Sequence, residues 1–415
     1  MKKIAEQYND YIYPKPITNM QKAISEDGYV DISNADLFWE KFYPEKEYKN
    51  SLNVFIAGCG TNQPIYFGLS NPNWNIYAID LSENSIAYVK EKLIENNIKN
   101  VQIEKQNILD TNFKNEFDLV ISTGVIHHTK EPKTTLTKLV DATSGDGALS
   151  IMVYANYLRR GVYDLQKIFR HLKIEQNKEG IEFAKNYIEN IIPKYHEAKR
   201  YYLAQKDNYD SGIIDTWLNP QDIAYSALEI SDLISDTGAY FQGWFDNVFC
   251  YPNAILYGVE VNFKLLDDLN PLEATDFTQS HILQAGKHEF ILRKKKEFEN
   301  LWHNISNIKE TIKVKSSSFL SVSKELDLSQ KLGGQLIYLK HNSLLSAPFN
   351  FKEGIIWSIV DEVSQKSESI VIHKLLEKCN EFSKNNNLGM TFDINELKQI
   401  LHKMWKQEII TFSMK

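Results

Sequence analysis

Alternating strand and helix patterns between residues 52 and 153 constrain the fold of this chain most strongly. Apolar runs bounded by turn residues are typical of buried strands, and helical patterns at 82–96 and 134–141 stand between them. The predicted strands are 52–57, 74–79, 101–104, 117–122 and 148–153. Such alternation indicates a parallel sheet that is covered by helices on both faces.

The predicted helix at 82–96 has the clearest periodicity. Ser82 stands where an N-cap residue is favoured, and apolar residues follow at helical spacing. We expect one buried face to be formed by Ile86, Val89, Leu93 and Ile94.

The pattern changes after residue 156. Residues 157–236 are rich in tyrosine and charge, and they predict a mostly helical insertion. Strand character returns at 239–244 and 287–292. These two runs are close enough along the chain to form an antiparallel end of the sheet.

The last part of the chain differs in composition from the rest. Ser316-Ser317-Ser318 and Gly333-Gly334 predict a linker, helical segments follow near 354–364, 368–383 and 393–405, and a strand is expected at 409–412. We predict a small α(+β), winged-helix-like domain. The predicted division is an N-terminal arm or lid at 1–50, a ligand-binding core at 51–156, the insertion with an acceptor site at 157–236, the end of the sheet at 237–296 and the C-terminal domain at 297–415.

The charge of the chain excludes one large class of function. Its 415 residues have a formal net charge of −7, and residues 300–415 hold 15 lysines and 12 acidic residues. Neither residues 300–415 nor the rest of the chain has the strongly basic charge balance of a nucleic-acid-binding protein. We therefore expect no nucleic-acid partner.

Hydropathy and cysteine content bear on the cellular compartment. No apolar run of about 18 residues is present, and the first ten residues lack an apolar core, so we expect no membrane segment and no secretory signal. The three cysteines, Cys59, Cys250 and Cys379, form no CxxC pair. A cysteine zinc site and a disulfide framework are both unexpected, and a cytoplasmic protein without metal is predicted.

A glycine-containing turn and an acidic residue carry the clearest chemical signal. The first predicted strand ends in Ala57-Gly58-Cys59-Gly60-Thr61, and Asp80 ends the next strand, 22 residues after Gly58. Glycines let the backbone approach a ligand closely, and an acid at the end of the second strand is placed to accept ribose hydroxyls. The spacing predicts a nucleoside at the carboxyl edge of the sheet.

The residues after the turn favour a nucleoside without phosphates. A dinucleotide-binding loop usually has a third glycine where this chain has Gln63, and no basic residue stands nearby to bind phosphate. S-adenosylmethionine combines a ribose and an adenine with a zwitterionic amino acid on a sulfonium, so it fits this loop. A nicotinamide dehydrogenase remains an alternative.

Several segments resemble the class I S-adenosylmethionine-dependent methyltransferases. Val54–Thr61 resembles their motif I, Ala78–Ser82 resembles the acidic motif that follows, and Phe117–Val120 with Gly124–His128 is similar to their fourth strand and its loop. The resemblance covers residues 50 to 155. It implies a Rossmann-like, mostly parallel sheet and methyl transfer from S-adenosylmethionine.

Two further motifs resemble a less characterised bacterial branch of the same family. They are Asp215–Pro220 and Phe241–Trp244, and they extend the resemblance to about residue 296. The resemblance implies cofactor contacts at Ala57, Gly58, Cys59, Gly60, Asp80, Leu81, Asn107, Ile108 and Gly124.

The chain departs from the family pattern in its first motif. The family often has an acid where this chain has Ile56, and a small residue where it has Asn62. Loss of the acid removes a contact to the amino group of the ligand. The backbone carbonyls of Ala57 and Gly124 are candidates to replace it. Asn107 stands at the position of an acid near the adenine, and its carbonyl still accepts an N–H.

Candidate catalytic and acceptor residues follow the fourth and fifth strands. His127 and His128 are candidate general bases for an N- or O-nucleophile, although such histidines often only order a loop. Candidate substrate-binding residues are Tyr13, Tyr154, Tyr157 and Arg159. Tyr8 and Tyr11 are also candidates for a lid, whereas Trp217 and Trp244 are expected in the core.

Two functions from different classes remain open at this point. The first is a methyltransferase for an N or O atom of a small molecule or a protein side chain. The second is a non-catalytic regulatory protein that binds S-adenosylmethionine. For either one, the C-terminal domain is a candidate surface for docking a partner or for forming a homodimer.

Overall fold

The structure is a computed structural model that describes residues 2–205, 208–252, 266, 268–317, 321–327, 333–340 and 343–415. The strands described are β1 Asn53–Ala57, β2 Asn75–Asp80, β3 Val101–Lys105, β4 Phe117–Thr123, β5 Thr143–Tyr154, β6 Tyr240–Trp244, β7 Lys287–Arg293, β8 Lys313–Ser316, β9 Ser321–Asp327, β10 Gly333–Lys340, β11 Ser343–Phe349, β12 Ile370–Val371 and β13 Ile410–Ser413.

The α-helices in the described residues lie between and after these strands. They are α1 Lys2–Asp10, α2 Met20–Ser25, α3 Trp39–Phe42, α4 Gln63–Ser70, α5 Glu83–Glu95, α6 Pro132–Ala142, α7 Asn156–His171, α8 Lys178–Asn186, α9 Glu197–Ala204, α10 Asp210–Trp217, α11 Ala227–Ile234, α12 Pro271–Ile282, α13 Phe351–Ser364, α14 Ile372–Asn385 and α15 Ile394–Lys406. None of those described is long and apolar enough to cross a membrane.

The larger sheet has seven strands in the order β3-β2-β1-β4-β5-β7-β6. Strands β1 to β5 pair in parallel, and β7 pairs with β5 in antiparallel orientation. The predicted parallel sheet and its antiparallel end are confirmed. The central strand β1 is fully buried from Val54 to Ala57, as expected for a sheet covered on both faces.

Helix α5 shows where periodicity is a sufficient guide and where it is not. Ser82 caps the helix by accepting a hydrogen bond from the Ser85 N–H, as predicted. Ile86, Val89 and Leu93 are buried. Ile94 is 82% exposed, so its expected burial is wrong. The helix meets its neighbours along the narrow stripe of the other three residues.

The chain divides into two compact units. The first contains Met1–Asp36, Lys49–Gln242 and Gln279–Glu299, and the second contains Leu37–Tyr48, Gly243–Thr278 and Asn300–Lys415. A single boundary at residue 296, as predicted, is therefore replaced by an interleaved arrangement. Within the second unit the aromatic ring of Phe38 packs on that of Phe245 at 5.2 Å, which explains why the early segment belongs there.

The second unit contains two small sheets and a group of helices. Strands β9, β10 and β11 form an antiparallel sheet, and β12 and β13 flank β8. Gly333-Gly334 begins strand β10, so its prediction as a linker is wrong; Ser318 lies outside the described residues. Three helices and a final strand are present, as predicted. A winged-helix arrangement stays a prediction.

Candidate active site

A sharp turn joins β1 to α4 at the carboxyl edge of the sheet. Gly58 and Gly60 have φ values of +75° and +54°, which L side chains rarely adopt. A Cβ atom on Gly58 would lie 2.4 Å from a Cγ of Val125. The N–H groups of Gly58 and Cys59 both donate to the Ile79 carbonyl, at 2.9 and 3.0 Å. The turn therefore presents bare backbone to the space above it.

Asp80 ties this turn to the end of β2. Its Oδ2 accepts the Gly60 N–H at 2.8 Å, and its Oδ1 accepts the Ser82 N–H at 2.9 Å. Burial raises the pKa of the Asp80 carboxyl above its ordinary value, and the backbone N–H bonds oppose this rise. Each carboxylate oxygen has a further lone pair for a ligand hydroxyl.

A cavity of about 320 Å³ lies over this edge of the sheet, within the range of about 300–1,000 Å³ that is common for small-molecule sites. Its described lining contains no lysine or arginine. Eight of the predicted cofactor residues line it, namely Gly58, Cys59, Gly60, Asp80, Leu81, Asn107, Ile108 and Gly124. Ala57 is fully buried and not among the lining residues. The prediction that Ala57 contacts the ligand is not supported.

The two predicted histidines occupy different places. His128 lines the cavity, and its Nδ1 lies 3.0 Å from the Gln221 carbonyl oxygen. A carbonyl only accepts, so Nδ1 carries the proton and Nε2 of the neutral ring is the basic nitrogen.

His127 lies behind Tyr154 and does not line the cavity, which corrects its prediction as a base. Its Nδ1 accepts the Tyr154 N–H at 3.3 Å, and the two rings lie 3.8 Å apart. Burial, with the nearby His128 and Arg159, holds the pKa of His127 well below its ordinary value. His127 is therefore a neutral core histidine that supports Tyr154.

Asp215, in helix α10 of the insertion, joins two tyrosines that line the cavity. The Tyr8 hydroxyl donates to Oδ1 at 2.7 Å, and the Tyr154 hydroxyl donates to Oδ2 at 2.8 Å. Asp215 is only 1% exposed. The sequence motif at Asp215–Pro220 contained this residue but gave no sign of its contacts.

Two predicted substrate residues lie away from the cavity, and these predictions are corrected. Arg159 is 1% exposed; its guanidinium pairs with Asp222 at 3.0 Å and covers the Tyr154 ring at 3.7 Å. Tyr157 is buried, and its hydroxyl accepts the Ala227 N–H at 2.8 Å. Neither side chain is among those that line the cavity, because each is held inside the insertion.

The N-terminal segment lies over the glycine turn, and side chains of motif I bind its backbone. Thr61 donates to the Pro14 carbonyl at 2.8 Å. The Asn62 amide donates to the Lys15 carbonyl at 3.2 Å and accepts the Ile17 N–H at 2.9 Å. These bonds explain why an asparagine replaces the small residue of the family pattern. Tyr13, a predicted substrate-binding residue, lines the cavity.

Tyr11 takes no part in the lining. Its side chain is partly buried against the apolar core of the insertion, which includes Leu165 and Trp217. Trp217 is fully buried and Trp244 is 5% exposed, so both are core residues, as expected.

Asp31 lines the same cavity and was not predicted from the sequence. The Gln63 amide donates to Asp31 Oδ2 at 3.0 Å and to the Thr123 hydroxyl at 3.1 Å. Gln63 thus has a local role that its position in a glycine-rich loop did not reveal. Among the residues that the structure describes, no three His, Cys, Asp or Glu side chains are grouped as metal ligands.

Comparison with known sequences finds a methyltransferase domain in part of the chain. Residues 48–208 match the family described as a methyltransferase domain. An uncharacterised protein of Synechococcus is 26% identical over 203 residues, which are 46% of this chain and 48% of that protein. A malonyl-[acyl-carrier protein] O-methyltransferase of Acetivibrio thermocellus is 25% identical over 130 residues, 31% of this chain and 45% of that enzyme. The chain therefore spans about half the length of these curated relatives.

A solved structure shares the fold over most of the chain. PKMT2 from Rickettsia typhi matches with a TM-score of 0.60 at 14% identity, covering 93% of this chain and 77% of that one. The same protein in complex with AdoHcy also gives a TM-score of 0.60. The sheet order, the glycine turn with Asp80 and the matched domain agree with one another: residues 48–208 contain a methyltransferase domain, and the chain is similar to class I S-adenosylmethionine-dependent methyltransferases.

Proposed function

We propose that this chain transfers a methyl group from S-adenosylmethionine to an N or O atom of a small molecule or a protein side chain. One observation carries the proposal: a single cavity joins the glycine turn and Asp80 on one side to His128 and Tyr154 on the other. The residues proposed to bind the cofactor and the basic nitrogen of His128 thus face the same cavity.

The residues of the cavity fit the proposed cofactor. Asp80 offers carboxylate lone pairs to ribose hydroxyls, and Gly58 and Gly60 line the cavity with backbone that carries no side chain. Asn107 follows β3 and lines the cavity, and its Oδ1, which accepts the Leu109 N–H at 3.2 Å, is the type of oxygen that accepts an adenine N–H. When bound, the cofactor supplies a methyl group already activated by a sulfonium.

The main task of the protein's own residues is then to position the methyl acceptor and the cofactor. Alignment of nucleophile and methyl group is the largest requirement of such a displacement, and the N-terminal segment excludes water from the cavity. His128 Nε2 is the group that takes the proton when the methyl acceptor is an N–H or O–H group. Asp215 fixes the hydroxyls of Tyr8 and Tyr154 on the same side.

The acceptor site is proposed to lie between this wall and the insertion. Tyr13 and Tyr154 line the cavity there, and helix α10 supplies Asp215 behind them. The second unit is proposed to dock a partner or to form a homodimer, as the sequence suggested.

The direct test is transfer of labelled methyl. The protein is incubated with methyl-labelled S-adenosylmethionine and with separated small-molecule and protein fractions of a lysate. Label in either fraction supports the proposal and identifies the acceptor class. Cofactor binding without transfer to any fraction would instead indicate a regulatory protein, and displacement by a nicotinamide cofactor alone would contradict both functions.

Asp80→Ala is expected to weaken S-adenosylmethionine binding by about tenfold to a hundredfold. Charge-assisted hydrogen bonds contribute about 1.5–3 kcal/mol, and about 1.4 kcal/mol corresponds to a factor of ten. The substitution also releases the Gly60 and Ser82 N–H groups. Calorimetry measures the affinity, with exposed Asp110→Ala as the control. An unchanged affinity in the Asp80 variant would rule out the ribose assignment.

Asn62→Ala is expected to loosen the N-terminal segment over the cavity. Two hydrogen bonds to Lys15 and Ile17 are lost, at about 0.5–1.5 kcal/mol each, so local opening becomes about fivefold to a hundredfold more frequent. Hydrogen exchange of the Lys15 and Ile17 amides measures the opening, since Pro14 and Pro16 have no N–H, and the rate of cofactor release should rise with it. Asn73→Ala, on an exposed side chain, is the matched control. Equal exchange in both variants would show that Asn62 does not hold the segment.

A further inference from the structure

The two ends of the cavity are chemically different, and the sheet order defines them. Strands β3, β2, β1 and β4 are neighbours in that order. Asp80 ends β2, and Asn107 follows β3, so the ribose and adenine lie toward the β3 edge. The amino-acid part of the cofactor must therefore extend toward β4, past Gly58 and Thr123. The inference below rests on the proposed cofactor.

Asp31 lies at this β4 end. The Gln63 amide links it directly to Thr123, the last residue of β4, with bonds of 3.0 and 3.1 Å. Gln63 is the first residue of α4, directly beyond the glycine turn. The carboxylate and the adenine contact at Asn107 are therefore on opposite sides of Asp80 along the cavity.

The Asp31 carboxylate accepts hydrogen bonds from neutral groups and has no cationic partner among the described residues. Its Oδ1 accepts the Ser33 N–H at 2.9 Å and its Oδ2 accepts from Gln63. In the part of the chain that the structure describes, no basic side chain pairs with it, and the described cavity lining contains none. Burial raises the pKa of Asp31 above its ordinary value. A negative group in such a place favours a positively charged ligand atom.

We propose that Asp31 binds the α-ammonium group of S-adenosylmethionine and takes the place of the acid that motif I lacks at Ile56. The N-terminal segment then supplies two things to the site. Asn62 and Thr61 hold residues 14–17 over the turn, and residue 31 of the same segment reaches the amino-acid end of the cavity. The missing acid at Ile56 and the lack of a cationic partner for Asp31 are both explained if Asp31 binds the ammonium group.

Two ligands that differ only in the ammonium group test this assignment. S-adenosylhomocysteine and its analogue with hydrogen in place of the α-amino group are titrated into the unaltered protein and into Asp31→Asn. The unaltered protein should prefer the amino ligand by about tenfold to a hundredfold. Asp31→Asn should bind the two ligands with nearly equal affinity, because the charge that distinguishes them is gone. Exposed Asp27→Asn, with the same change of charge, should keep the preference.

The outcomes separate this inference from the proposed function. If Asp31→Asn keeps the full preference for the amino ligand, the ammonium lies elsewhere and the assignment is wrong. If Asp31→Asn weakens both ligands equally, Asp31 only shapes the cavity, which also contradicts the assignment. If the unaltered protein binds neither ligand, the proposed function itself fails. Binding of the analogue to Asp31→Asn shows that the variant is folded.

Discussion

His128→Gln is expected to lower the rate of methyl transfer by about a hundredfold to ten-thousandfold, the usual contribution of a general base. The Gln221 carbonyl accepts from Nδ1 at 3.0 Å, so Nε2 is the nitrogen that is free of a proton in the neutral ring. Glutamine retains a polar side chain but has no comparable basicity. Since the ribose and amino-acid contacts lie elsewhere, cofactor affinity should change little.

Three measurements distinguish a base from a residue that only orders the loop. Turnover is measured with the fraction that accepts label, cofactor affinity by calorimetry, and the rate as a function of pH. Turnover should be low at every pH while cofactor affinity is kept, because glutamine cannot take the proton of the methyl acceptor. His171→Gln, on an exposed histidine of the insertion, is the control. Full turnover in His128→Gln would show that the acceptor loses its proton by another route.

Those parts of the site that depend on backbone geometry could be predicted from the sequence. A turn with φ values of +75° and +54° requires residues such as Gly58 and Gly60. The end of a strand fixes where Asp80 lies relative to that turn. Both features are local, so a pattern of about twenty residues contains them.

The direction of a side chain was harder to predict. His127 and His128 are adjacent, yet one is fully buried behind Tyr154 and the other lines the cavity. Tyr157 and Arg159 follow the fifth strand as acceptor residues often do, but helix α7 turns both into the protein. Sequence gives the position of such residues along an element, whereas packing decides which face they occupy.

Contacts between distant segments could not be predicted at all. Asp215 joins Tyr8 and Tyr154, which are 207 and 61 residues away. Asp31 meets Gln63 across 32 residues. Neither segment has a sequence pattern that shows what its carboxylate contacts, and the fold alone brings Asp31 to the cavity and Asp215 to the two tyrosines. Asn62 and Gln63 looked like departures from a family motif because their partners are in the N-terminal segment.

Arg159→Met is expected to destabilise the first unit by about 3–5 kcal/mol, because it leaves the Asp222 carboxylate buried and unpaired. Both side chains are 1% exposed, and their N–O distance is 3.0 Å. The guanidinium also donates to the Tyr201 hydroxyl at 2.7 Å. Denaturant unfolding measures the loss. The neighbouring Arg160 is exposed, so Arg160→Met should change the stability little and serves as the control.

A second substitution separates the structural role of Arg159 from a role in binding the acceptor. Adding Asp222→Asn to Arg159→Met removes the unpaired charge and should recover part of the stability. Recovery is partial because Asp222 also accepts from Gln166 at 3.1 Å, and because the Tyr154 ring still lacks the guanidinium that covers it at 3.7 Å. If Arg159→Met were as stable as the unaltered protein but raised only the KM for the acceptor, the buried ion pair would not be its main role. Arg159 would then contact the acceptor, as its position after the fifth strand first suggested.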